Sequence, residues 1–234
     1  MPDDTKKLIM RLTNAEAESM HPETRVENEV AMISLAAAAL KDFRPRVVPS
    51  VYAWGSAAAQ DSQGWILQEL MPGESLDELY PSMDIEDKKE VVAQMAKMLK
   101  AVQNYRLPES ISQFGGVTFD ENGQIVSAAM STVGAGPWQS YEAYFKERIE
   151  IALEKAASNK AIDGWKSGKL GDRLRAFVEN GLPAQFESLK TKQQKSIIHA
   201  DFSKPSRFAS PVIVKNHVLS CSCVRHFVTF YLRK

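Results

Sequence analysis

Within its first 76 residues the chain changes hydrophobic period repeatedly, and this confines it to a mixed α+β fold. "KKLIMRL" (6–12) is a basic entry followed by a short apolar run, the pattern of a strand. Over 23–42 the period lengthens: Val26, Val30, Ile33, Ala37 and Leu40 recur at three- and four-residue steps, laying one apolar stripe along a helix. Four alanines, Ala36 to Ala39, favour that helix and let it pack closely on a neighbour. "FRPRVVPSVYAWG" (43–55) then carries two prolines that exclude a long helix, and its Val and Tyr residues suggest a short strand. A second apolar strand in "GWILQELMPGESL" (64–76) stops at Pro72-Gly73, a turn signal.

Helical periodicity dominates the middle of the chain. Ile85 to Tyr105 places Val91, Met95, Met98, Leu99 and Val102 on one side. "GGVTFDENGQIV" (115–126) predicts a β-hairpin turning at Asn122-Gly123, where positive φ is tolerated. Helices are expected over 139–157 and 169–190, from spacings such as Tyr141, Phe145 and Ile149. A small mixed lobe therefore precedes a larger helical one. The 29 basic and 29 acidic residues cancel, which argues against a sequence-wide grip on nucleic acid or anionic membrane. The longest weakly polar run, "VAMISLAAAAL" (30–40), is too short to span a bilayer. With no apolar signal segment at "MPDDTKK" and only two cysteines, Cys221 and Cys223, a cytoplasmic location is expected.

One stretch points to chemistry. "KSIIHADFSKPSRFAS" (195–210) runs from an apolar strand into a His-x-Asp turn, the arrangement of a phosphotransferase catalytic loop. Phosphoryl transfer needs a base for the hydroxyl, a cation near the nucleotide phosphates and oxygen ligands for magnesium. Asp201 is the candidate base, with His199 bracing the loop. Arg11 lies on the first strand and Glu29 in "VENEVAMI" on the next helix, placed to pair with it. "LQELMPG" supplies a hinge, where main-chain groups of Glu69, Leu70 and Met71 can hydrogen-bond an adenine.

"LQELMPGESLDELY", "RVENEVAMI" and "IIHADFS" together resemble the aminoglycoside phosphotransferase/choline kinase-like family over roughly residues 6–203. The resemblance implies a two-lobed protein-kinase-like fold with an incomplete N-lobe sheet. It also implies ATP- and Mg2+-dependent phosphorylation of a small molecule's hydroxyl. In that family the loop reads H-G-D-x-x-x-x-N, often with alanine for glycine, so His199 and Asp201 match. Arginine in place of lysine on the strand is common there, which suits Arg11.

Three departures stand beside the matches. The motif's metal-binding asparagine falls on Ser206, whose neutral hydroxyl is a poorer magnesium ligand than an amide carbonyl. The family's later metal-binding aspartate has no counterpart, because the 33 residues after Asp201 hold six basic side chains and no Asp or Glu. Only ten residues precede Arg11, too few for two strands and a phosphate-covering turn. The expected organisation is a partial N-lobe over 1–71, a helical C-lobe with the hairpin and catalytic loop over 72–203, and an atypical tail over 204–234. Within that tail His217, Cys221, Cys223 and His226 are zinc-ligand types, though not at a standard zinc spacing. The expected function is that of a phosphotransferase-like protein of impaired activity. The alternatives are a non-catalytic, pseudokinase-like nucleotide- or partner-binding module and a defective gene product.

Overall fold

The computed structural model describes residues 7–14, 21–57, 63–71, 74–162, 165, 169–189, 194–199, 212–214, 217–220 and 227–229. Its first unit is a three-stranded antiparallel sheet in the order β1-β3-β2, from β1 (Leu8–Leu12), β2 (Val51–Gly55) and β3 (Trp65–Glu69). Helix α1 (Pro22–Ala39) lies between β1 and β2 in sequence and begins with proline at its first position, where a missing N–H costs nothing. Beyond β3, a short strand β4 (Glu74–Ser75) leads into α2 (Leu76–Leu79), and α3 (Ile85–Asn104) comes next among the longer helices. Asp84 caps α3 by accepting from the Asp87 amide at 2.8 Å, and the carboxylate also suits the positive end of the helix.

The hairpin forms as β5 (Gly116–Phe119) and β6 (Ile125–Ala128). Its turn closes through the Gly123 amide donating to the Asp120 carbonyl, with Gly123 at φ 75°, so the glycine is needed there. Helix α4 (Tyr141–Ser158) is capped by the Ser140 hydroxyl, which accepts from the Ala143 amide. The helix expected over 169–190 is not regular. It divides into α5 (Leu170–Ala176), a π segment (Phe177–Gly181) and α6 (Leu182–Glu187). Pro183 has no N–H to continue an α-helical ladder, and the Leu182 amide reaches back five residues to Phe177 instead.

The end of the chain adds further strands. Within "HFVTFYL", β10 (Phe227–Thr229) pairs antiparallel with β7 (Ile197–His199). Likewise β9 (His217–Ser220) pairs parallel with β4 and antiparallel with β8 (Val212–Val214). Backbone hydrogen-bonding groups at a strand edge supply those partnerships, which no local pattern encodes.

Helix α1 is the element around which both halves pack. Val26 and Val30 close on Ile66 of β3, while Ala31, Met32, Ile33, Leu35, Ala36 and Leu40 join Val102, Ile111, Val117 and Ile197 in the main core. The single stripe expected from spacing is therefore too narrow. Met32 and Leu35 are buried as well, and Ala37 is exposed. A helix apolar on most sides is one enclosed on most sides. Within this enclosure the buried Asn28 donates to the Val117 carbonyl at 3.0 Å, tying α1 to β5. Beside it, Trp54 of β2 stacks on Phe119 with ring centroids 5.8 Å apart. No described helix is long and apolar enough to cross a membrane.

Asn28→Ala removes the donor that satisfies a buried carbonyl. It is expected to cost about 1–3 kcal/mol in urea denaturation. Ser34→Ala, on the exposed side of the same helix, should stay within about 0.5 kcal/mol of wild type.

Candidate functional site

Alternation along β1 sorts its side chains onto two faces. Leu8, Met10 and Leu12 take the outer face and are at least half exposed, while Arg11 and the still exposed Ile9 lie on the opposite face. Arg11 stands opposite Ile66 of β3, on the face that α1 covers. Glu29 lies one residue before Val30, on the turn of α1 that meets this face, and the two charges join. Arg11 Nη2 donates to Glu29 Oε1 at 2.5 Å, and the side chains are only 20% and 8% exposed. A second arm of the guanidinium, Nη1, donates to Gln68 Oε1 at 3.2 Å. Short, charge-assisted contacts of this kind carry more than neutral hydrogen bonds.

The segment expected to serve as a hinge is more constrained than its sequence suggests. The Glu69 amide donates to the Ser50 carbonyl and the Leu70 amide to the Lys7 carbonyl, each at 2.8 Å. Those two donors are occupied by the sheet. The Met71 amide has no backbone partner among the described residues. The Glu69 carboxylate is likewise engaged, by Arg46 Nη2 and by the Ser50 amide at 3.2 Å. Its role here is to hold the segment before the hinge against the loop leading into β2.

His199 ends β7 opposite Phe227, and its side chain lies outside what is described. The same holds for the side chains of His217, Cys221, Cys223 and His226, and Asp201 and Ser206 fall wholly outside the described residues. The strand feeding the loop is well anchored up to that point. Ile197 is fully buried, and Lys195 Nζ donates to the Ser112 carbonyl at 2.6 Å, with burial holding the amine below its ordinary pKa. Two contributors are not evident from sequence, Gln68 and Arg46. A carboxamide two residues from Ile66, on the buried face of a strand, is the available signal for Gln68.

The sequence model of the phosphotransferase enzyme family (APH) matches residues 2–205. The chain belongs to that family. Among solved structures it is similar to a thermostable mutant of the aminoglycoside phosphotransferase APH(4)-Ia in its apo form, at TM-score 0.51 and 14% identity. That match covers 97% of this chain and 62% of the other. A further variant of the same enzyme, in ternary complex with AMP-PNP and hygromycin B, matches at TM-score 0.51 and 14% identity, covering 97% and 61%. At such identity the likeness is one of fold, and this APH-family chain spans about three-fifths of the length of those structures. No curated protein matches it in sequence.

Glu29→Gln leaves the largely buried guanidinium without its counter-charge while keeping an acceptor oxygen, and is expected to cost about 1–3 kcal/mol in urea denaturation. The double variant Arg11→Met, Glu29→Leu should recover most of that loss, giving a coupling energy well outside additivity in the cycle. Additive single effects would mean that the pair does not act as a unit.

Proposed function

We propose that this APH-family chain binds a nucleoside triphosphate between its sheet and its helical half, and that its ancestral reaction phosphorylates a hydroxyl of a small molecule. The observation that carries the reading is the Arg11–Glu29 pair, a cation fixed on the inner face of the sheet by a helix carboxylate. A guanidinium has five N–H donors, and Glu29 and Gln68 take one each. With the side chain one-fifth exposed, donors remain for phosphate oxygens. The Met71 amide and the hinge carbonyls would receive the base. AMP-PNP and hygromycin B in the APH(4)-Ia complex support a nucleotide and a small-molecule acceptor as the ligand classes.

In this reading residues 1–71 form the nucleotide lobe and 72–203 the lobe that brings the acceptor. Asp201 accepts the proton from the attacking hydroxyl, His199 braces the turn that presents it, and 204–234 is an appended tail. Magnesium, where bound, neutralises phosphate charge. For it the sequence offers the Asp201 carboxylate and the Ser206 hydroxyl, and the described residues contain no cluster of three ligand-type side chains. Two such oxygens are a sparse donor set for a hard cation that takes about six.

The same donor set favours a second reading, a nucleotide-binding module without turnover. Thermal unfolding with ATP, with and without magnesium, separates the two. A rise in Tm that requires magnesium supports the enzyme. A rise of a few degrees that is indifferent to magnesium supports the module, and no rise with either addition overturns nucleotide binding altogether.

A further inference from the structure

We propose that Gln68 is a positioning residue that sets the plane of the Arg11 guanidinium for triphosphate binding, an inference that rests on the proposed nucleotide binding. Gln68 is 7% exposed, on the inner face of β3, opposite Ile9 on one side and Val51 on the other. Its neighbour on that face is Ile66, which is 1% exposed. A carboxamide among such residues costs desolvation unless it is bonded. The carboxamide oxygen is bonded by Arg11 Nη1, at 3.2 Å.

The geometry explains why one anchor is insufficient. Glu29 holds Nη2 alone, and an ion held through one nitrogen can swing about that contact. Gln68 holds the opposite arm from a neighbouring strand, one pleat along, so helix and sheet together fix the plane of the fork. The charge of the anchor matters as much as its place. A neutral carboxamide accepts the hydrogen bond and leaves the cluster of Arg11 and Glu29 at zero. A second carboxylate would make that cluster net negative and repel phosphate. Gln68 also directly precedes Glu69, whose amide is bound to Ser50, so a rigid strand joins the hinge to the cation.

The test is a comparison of ligands on the full chain. AMP-PNP and adenosine are titrated into wild type, Gln68→Leu, Arg11→Met and the double variant by calorimetry. Leucine fits the apolar surroundings but leaves Arg11 Nη1 without its acceptor, so Gln68→Leu should unfold somewhat earlier than wild type and is titrated well below that transition. It should bind AMP-PNP about fivefold to tenfold more weakly, with adenosine affinity unchanged. In the Arg11→Met background the same change should add nothing. Equal weakening of both ligands, an undiminished AMP-PNP affinity in Gln68→Leu, or a loss that persists without Arg11 would overturn the assignment. Wild type that ignores AMP-PNP would instead bring down the nucleotide reading, and this inference with it.

Discussion

The structure depends on the enclosure of α1. Its first half closes on the sheet through Val26, Val30 and Ile66, and its second half enters the core shared with α3, β5 and β7. A helix gripped on both sides cannot slide or rotate without opening one of those contacts, because close-packed interiors resist continuous deformation. Glu29 sits on that fixed helix, so its carboxylate is presented to the sheet at a defined height. The position of the cation follows from packing first and from charge second.

That order has an energetic reason. Ion pairs removed from water return little net stability, since desolvation offsets most of the attraction. An Arg–Glu contact with side chains only 20% and 8% exposed is therefore better understood as a placement device than as a source of stability. The surrounding bonds fit this view. Gln68 holds the other arm of Arg11, Arg46 and the Ser50 amide hold Glu69, and the Leu70 amide is fixed to Lys7. From β1 to the hinge, polar groups hold backbone and guanidinium still.

Much of this arrangement can be read in the sequence, and the remainder is hidden for definable reasons. Strand alternation separates Arg11 from Leu8, Met10 and Leu12 but would turn those apolar residues inward. The inward turn of Arg11 and its meeting with Glu29 are therefore legible only through the kinase-like pattern of strand cation and helix carboxylate. The part played by Gln68 depends on the register of β1 against β3, a long-range property that no single segment carries. Contacts of the end of β3 with Ser50 beside β2 and with Lys7 beside β1 use up the Glu69 and Leu70 amides, which the local sequence does not reveal. The burial of Met32 and Leu35 is masked because a helix enclosed on several sides loses the stripe that periodicity detects. The pairing of β10 with β7 joins segments that no nearby pattern connects. For Asp201 and Ser206 the reading stays one of sequence and family.

Hydrogen–deuterium exchange on addition of AMP-PNP tests the central claim most directly, because it reports where along the chain a nucleotide is felt. The account predicts added protection concentrated in residues 8–12 and 65–71, the strand that carries Arg11 and the strand that runs into the hinge. Protection confined to the helices of 141–187, with those two strands unchanged, would contradict it.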